Sequence, residues 1–196
     1  DGFQYLALKR DMNILLFDHQ RPFGNGQLFP AGELREPKKE ARRADFVCIT
    51  RYSGSSYPPG INEQLIKDLP LVKSTLRLDS LLNLNDGGIF DIKKLQDQPV
   101  AAFSGIANPG DFRRLLEQSG ARVVYYHPFP DHHEYTLSDL KYIEDSARKS
   151  GAKLILTTEK DAVKIKPGSI ILPFYKVALE MEILEGRETF NQQILS

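Results

Sequence analysis

Apolar residues along this chain fall into short β-branched or aromatic runs separated by stretches with helical spacing. Residues 13–18 (Asn-Ile-Leu-Leu-Phe-Asp) read as a buried strand ending on an acid, and residues 45–50 (Asp-Phe-Val-Cys-Ile-Thr) read the same way. Between them, Pro37 opens a helical segment through Ala44; a proline suits a first turn because the N–H it lacks has no helical partner there. Its basic run, Lys38 to Arg43, is most simply a solvated helix face. Further along, residues 100–103, 123–126 and 154–157 are apolar strands. They alternate with helices over 109–119, closed by Gly120, and 137–149, stopped by Gly151, with Ser138 as a candidate N-cap. Strands alternating with helices predict a parallel sheet with right-handed crossovers, whose functional groups sit at the carboxyl ends of the strands.

Residues 53–60, rich in Ser, Pro and Gly, read as a loop, and a helix is expected from about Asn62 to Leu69. Residues 73–84 alternate only in part and run into the turn Asn85-Asp86-Gly87-Gly88, which reads as a linker or edge ribbon rather than core sheet. A final strand over 177–184 can pair with that ribbon. The expected organisation is therefore a partial α/β unit over 1–70, a linker ribbon over 71–98, a complete α/β unit over 99–172, and a return strand with a C-terminal tail over 173–196. Two core strands in the first unit against three strand–helix repeats in the second predict two separate sheets.

Composition narrows the function classes. Lys+Arg and Asp+Glu are both 26 of 196 residues, so there is no basic excess and no nucleic-acid partner is expected. With 41% hydrophobic and 27% charged residues the chain has the balance of a folded protein. Cys48 is the single cysteine, which excludes an internal disulfide and points to a reducing compartment. No apolar run approaches the roughly 18–20 residues that span a bilayer. The chain opens on Asp1-Gly2-Phe3-Gln4 without a methionine, and reads as a fragment beginning inside a domain.

Four segments could carry chemistry. Gly105 and Gly110 are spaced like a phosphate-binding P-loop, but Asp111 stands where the lysine belongs and Phe112 where the metal-binding hydroxyl belongs. A tight strand-to-helix turn is the better reading, and no other segment matches a Walker A loop. His127, His132 and His133 cluster around Asp131 in a segment that follows a strand and precedes a helix. Imidazoles with a carboxylate suit zinc or iron, though the spacing is irregular. A catalytic histidine tuned by a neighbouring acid and a plain surface loop fit the spacing equally. Arg21, Asn25 and Arg35 lie in a long Gly/Pro loop and could bind a sugar or phosphate. Residues 157–164 (Thr-Thr-Glu-Lys-Asp-Ala-Val-Lys) end a strand, where Lys160 could orient groups at a site or Thr158 to Asp161 could form a helix cap.

Five stretches in order carry a family resemblance: Asp-Gly-Phe-Gln (1–4), Arg-Pro-Phe-Gly-Asn-Gly with Pro-Ala-Gly-x-Leu-Arg-Glu (21–36), Gly-Ile-Ala-Asn-Pro (105–109), Asp-His-His-x-Tyr (131–135) and Thr-Glu-Lys-Asp-Ala-Val-Lys (158–164). Together they resemble the tetraacyldisaccharide 4'-kinases, the lipid A kinases of Gram-negative bacteria. The resemblance implies a P-loop-kinase-like three-layer α/β/α fold, two units joined by a β-ribbon linker. It implies transfer of the ATP γ-phosphate to the 4'-hydroxyl of lipid A disaccharide 1-phosphate, with Mg²⁺, by a peripheral protein on the cytoplasmic face of the inner membrane. By position, Asp1 would help hold Mg²⁺, Gln4, Asn25, Arg35 and Glu36 would lie at the disaccharide headgroup, and His132 would support the catalytic base, with His133 as the second candidate. The family's Walker A loop has no counterpart in these residues, so nucleotide-binding residues are unassigned and the chain alone is expected to be inactive. Tyr5 and Ala107 depart from the family's usual His and Gly. The other readings are an α/β module without ATP binding and a metal hydrolase built on His127, His132 and His133.

Overall fold

The computed structural model describes residues 2–54, 58, 60, 61, 63–166 and 168–194. In chain order the elements are β1 (Ile14–Asp18), β2 (Phe46–Thr50), α1 (Glu63–Ile66), β3 (Leu71–Asn83), β4 (Ile89–Phe90) and β5 (Pro99–Ser104). They continue with α2 (Pro109–Gln118), β6 (Arg122–Pro128), α3 (Leu137–Lys149), β7 (Leu154–Thr158), α4 (Glu159–Ala162), β8 (Phe174–Glu185) and α5 (Arg187–Ile194). The chain divides into two compact units, residues 1–76 with 181–196, and residues 77–180.

In the first unit β1, β2 and the start of β3 run parallel, with Leu16 opposite Cys48 and Cys48 opposite Val72. Phe46, Val47 and Ile49 are fully buried and Cys48 nearly so. That is the near-continuous apolar pattern of a parallel strand covered on both faces. On one face Phe17, Val47 and Ile49 pack with Phe23, Ala41 and Ile66; on the other, Phe46, Cys48 and Val72 pack with Ile183 and Phe190. The segment opened by Pro37 is a 3₁₀ helix, Lys38–Arg43, rather than an α-helix. Arg43 reaches back to Glu40, and residues three apart eclipse one another in that tighter coil. The helix expected to Leu69 stops at Ile66 because Pro70 disfavours helical backbone in the residue before it. Residues 55–57, 59 and 62 lie outside the described residues, so the predicted loop and helix start are seen only in part. The expected tail contains a helix, α5, whose Phe190 ring meets Phe46 at 5.9 Å. Gly186 before it takes φ +81°, and a side chain there would start 2.3 Å from the Leu71 carbonyl oxygen, which only glycine avoids.

In the second unit β6, β5, β7 and β8 are parallel neighbours in that order. Val100, Ala102, Leu154 and Leu156 face Phe112 and Leu116 of α2. Ala101, Phe103 and Ile155 face Leu140, Ile143 and Ala147 of α3. Alternate residues of the same strands thus feed two cores, and the unit is a three-layer α/β/α stack. Both helices end as expected: Gly120 and Gly151 take positive φ and the backbone closes Schellman bonds from Ala121 to Leu116 and from Ala152 to Ala147. The N-cap of α3 is Thr136, not Ser138. Thr136 Oγ1 accepts from Asp139 N and the Asp139 carboxylate accepts from Thr136 N, a reciprocal capping box that Ser138, one residue inside the first turn, cannot make.

Two expectations are corrected at the ribbon. β3 is not an edge strand: it lies between β2 and β8 in the ladder order β1-β2-β3-β8-β7-β5-β6, with the short β4 antiparallel to its end. Nor are there two separate sheets, because that ladder is unbroken. β3 and β8, at 13 and 12 residues, each contribute to both units. The partial alternation has the same origin. Val72, Ser74 and Leu78 are buried in phase, and Leu81 is buried out of phase with them.

Glu144 ties α3 to the segment before β8. Its carboxylate accepts from Arg148 at 2.6 Å and from the N–H groups of Ile171 and Leu172, both at 3.1 Å. Burial pushes this carboxyl up, but the Arg148 guanidinium and the two N–H donors outweigh burial and hold it below its ordinary 4.5. A depressed folded value contributes stability that is present above about pH 4.5 and is lost as pH falls through the folded value. Glu144→Gln should therefore cost about 1–3 kcal/mol at neutral pH and distinctly less at pH 3, read as urea midpoints at the two pH values. Equal losses at both would show that the charge contributes nothing.

Candidate active site

The chain leaves β5 for β6 on one side and later places β7 on the other side of β5. Open α/β sheets bind ligands outside the carboxyl ends of strands at such a reversal. Three loops of the second unit meet there: residues 105–108 after β5, residues 129–136 after β6, and the turn at Thr158 that leads into α4.

An aromatic cluster supports these loops. Phe103, fully buried at the end of β5, has the rings of Tyr135, Phe174 and Phe129 at 5.3, 5.9 and 6.1 Å. Two of the three clustered histidines belong to that support. His127 is not in the loop but in β6, opposite Phe103. Its ring lies 4.5 Å from Phe129 and 5.5 Å from Tyr142, with Nδ1 3.4 Å from the Tyr125 hydroxyl. β6 runs past residue 126 because Tyr126, His127 and Pro128 keep pairing with β5. His133 stacks on Phe129 at 4.4 Å, and its Nε2 is 3.2 Å from the Asp139 carboxylate that closes the α3 cap. The carbonyl of His133 accepts from Lys164 Nζ at 2.8 Å.

His132 alone is presented to solvent, its side chain 77% exposed. Its backbone sits at φ +62°, a left-handed conformation that costs a non-glycine residue roughly 1–2 kcal/mol and persists only where neighbours over-determine it. Here the His132 N–H points to Asp131 Oδ1 at 3.0 Å and to the Gly105 carbonyl at 3.3 Å. The imidazole Nε2 is 3.9 Å from Asp131 Oδ2. Lys160 Nζ donates to Asp131 at 2.7 Å, and that contact holds the Asp131 carboxyl below the usual carboxylate range. The loop tip therefore carries a solvent-facing imidazole beside a carboxylate kept ionised by a lysine from the next loop.

Beneath the tip lies Asp161, fully buried. Its Oδ2 accepts from Thr158 Oγ1 at 2.6 Å and Gly105 N at 3.0 Å. Among the described residues its Oδ1 and the Tyr135 hydroxyl are buried without a hydrogen-bond partner. A side chain on Gly105 would begin 3.0 Å from that hydroxyl and 3.1 Å from both Asp161 Oδ1 and the Pro130 carbonyl, so a larger residue would crowd all three. Burial first, and the Asp161 charge second, push the Tyr135 phenol well above its ordinary value. The glycine spacing from Gly105 to Gly110 is thus a strand-to-helix turn: Asp111 pairs with Arg114, and Phe112 is buried in the core beneath α2. Thr157 donates to the Phe103 carbonyl and Thr158 caps α4, while Lys160 reaches Asp131 and Lys164 the His133 carbonyl.

The other residues named from sequence belong to the first unit. Asp1 lies outside the described residues. The Asn25 amide is committed to its own loop, donating to Ala31 O at 3.0 Å and accepting from Gln27 N at 3.1 Å. The Arg35 guanidinium lies 5.2 Å from the centre of the Phe29 ring. Glu36 pairs with Arg43 at 2.7 Å, and Arg43 also donates to the carbonyl of Phe3, next to Gln4. Arg43 thus joins the Gln4 and Glu36 segments, a link no sequence spacing announces. Tyr135, Asp139 and the reach of Asp161 to Gly105 were also missed; the one available signal was a glycine directly after a buried strand. One ring nitrogen of each of the two histidines besides His132 is engaged by a neighbour, His127 Nδ1 by the Tyr125 hydroxyl and His133 Nε2 by the Asp139 carboxylate. Among the described residues no three His, Cys, Asp or Glu side chains are grouped to hold a metal ion.

The whole chain is similar to proteins of one family. The family described as LpxK, Tetraacyldisaccharide-1-P 4'-kinase, matches residues 1–196. The tetraacyldisaccharide 4'-kinase of Syntrophus aciditrophicus is 38% identical over all of this chain and 55% of its own length. That of Geobacter sulfurreducens is 37% identical over 94% of this chain and 51% of its own length. A crystal structure of LpxK from Aquifex aeolicus in complex with ATP has 31% identity and a TM-score of 0.69, covering all of this chain and 55% of that one. The chain spans about half the length of the relatives it matches, and the three-layer α/β architecture is theirs. With the ordered motifs, the fold and the whole-length match in agreement, the chain belongs to the tetraacyldisaccharide 4'-kinase family.

Proposed function

We propose that this chain is part of a lipid kinase that transfers the ATP γ-phosphate to the 4'-hydroxyl of tetraacyldisaccharide 1-phosphate in lipid A biosynthesis. One observation carries the reading. The single histidine of the 131–135 motif that faces solvent, His132, is held in left-handed backbone beside an ionised Asp131 at the sheet reversal, in a chain matched along its whole length by that family. Phosphoryl transfer depends on positioning and charge neutralisation more than on covalent help. His132 would hydrogen-bond and orient the group that takes the proton from the sugar hydroxyl. Gln4, Arg35 and Glu36 are proposed at the disaccharide headgroup; Asn25 would act through the shape of its loop. Mg²⁺ is proposed with Asp1 as a ligand and, when bound, would offset phosphate charge. No helix of the described residues is long and apolar enough to cross a membrane, and attachment to the cytoplasmic face of the inner membrane is part of the proposal. Without a Walker A loop of its own, this chain by itself is proposed to be inactive.

The test is transfer of labelled γ-phosphate by the complete protein to the disaccharide 1-phosphate in detergent micelles, with the product's 4'-phosphate located by NMR. No transfer, together with no ATP binding in calorimetry, would favour a non-catalytic module. Micromolar MgATP binding by the 196-residue chain alone would overturn the proposal that it is inactive for want of a phosphate loop.

A further inference from the structure

We propose that Asp161 is a positioning residue for His132: its buried carboxylate fixes Gly105, and Gly105 fixes the left-handed backbone that presents the imidazole. This rests on the assignment of His132 to phosphoryl transfer made above. A carboxylate is costly to bury unless it is well bonded, and Asp161 is fully buried with no cation paired to it among the described residues. Asp161 is the third residue of the four-residue α4, whose N-terminus is already capped by Thr158 Oγ1. Helix capping alone therefore gives little reason for an acid here.

The bonds it does make lead to the loop tip. Asp161 Oδ2 accepts from Gly105 N at 3.0 Å, and the carbonyl of the same Gly105 accepts from His132 N at 3.3 Å. Lys160, the preceding residue, donates to Asp131, the residue before His132, at 2.7 Å. Two consecutive residues of α4 thus hold two consecutive residues of the tip, one directly and one through Gly105. At the other end of the motif, the Tyr135 hydroxyl and Asp161 Oδ1 both border the space over Gly105. The left-handed φ at His132 is what these anchors enforce. Loss of the Asp161 bond lets Gly105 and then His132 relax, and a misplacement of about 1 Å can cost about a hundredfold in rate.

The experiment uses the complete protein with Asp161→Asn, which keeps the size of the side chain and removes its charge, in wild-type and His132→Ala backgrounds. In the wild-type background kcat should fall about 10–100-fold, with KM for both substrates within about twofold. In the His132→Ala background the same change should cost less than about twofold, because the two residues act as a unit. Amide exchange at Gly105 and His132 should accelerate while β7 stays protected, a readout that needs no activity. Equal losses in both backgrounds, a loss confined to KM, or unchanged exchange at His132 would overturn the proposal. If His132→Ala alone leaves kcat unchanged, the catalytic reading of His132 fails, whereas faster exchange at His132 in Asp161→Asn would still support positioning. If Asp161→Asn does not fold, Gly105→Ala provides the same test, because its new methyl would press on Asp161 Oδ1, the Tyr135 hydroxyl and the Pro130 carbonyl.

Discussion

His132→Ala in the complete protein is expected to lower kcat by about 10²–10⁴-fold, the usual scale for losing general-base support, while KM for ATP and for the disaccharide changes far less. The side chain is mostly solvent-exposed, so its removal opens no cavity and should leave the melting temperature within about 2 °C, as expected for surface substitutions. His133→Ala should do the reverse. Its ring stacks on Phe129 and pairs with Asp139, so truncation should cost about 1–3 kcal/mol of stability with kcat retained below the melting transition. Steady-state kinetics on both variants, beside thermal melts, separates the roles. An unchanged kcat for His132→Ala would reject the assignment, and a large kcat loss confined to His133→Ala would move the role one residue along.

The parts of the fold legible in the sequence were those where one physical cause acts locally. The apolar runs at Phe46–Thr50 and Leu154–Thr158 are buried as their patterns demanded, whereas β1, at the end of the strand order, forms where expected but leaves Ile14 and Leu16 exposed, and Gly120 and Gly151 end helices because only positive φ closes the last carbonyls. What escaped depends on partners distant in sequence. β3 looked like an edge because its buried phase slips between Leu78 and Leu81, and only its position between β2 and β8 makes that slip intelligible. α5 was unreadable because it has no fully buried residue of its own, and its main ring contact is with Phe46, 144 positions earlier. The candidate site divides the same way. Adjacent His132 and His133 cannot be ranked by spacing, yet one φ value and one stacked ring give them opposite surroundings. Asp161 looked like a cap residue, and it does close the Thr158 cap; its bond to Gly105, 56 residues away, could not be read from the motif.

Phe103→Ala is expected to be the most destabilising single change in the second unit, at about 3–5 kcal/mol, the range for removing a buried aromatic from a core. Phe103 has no exposed surface, and its neighbours come from three separate parts of the chain. Phe174 lies on β8, Phe129 follows β6, and Tyr135 closes the 131–135 motif. These cannot all collapse into the vacated space, because Phe129 is also held by His133 and His127, and Phe174 by its pairing opposite Ile155. A residual cavity is therefore expected, which places the cost toward the upper end of the range. Phe103→Leu, which keeps most of the volume, should cost about 1–1.5 kcal/mol. The two compact units need not unfold together, so a single denaturation midpoint is a poor readout. Native-state amide exchange resolves them: protection in β5 and β7 should fall by the full amount in Phe103→Ala, while β2 in the first unit keeps its own. A loss below about 1 kcal/mol, smaller than a well-packed core aromatic permits, would mean that the cluster is loosely packed. The support it gives the 131–135 loop would then have to come from the Asp139, Lys160 and Lys164 contacts alone.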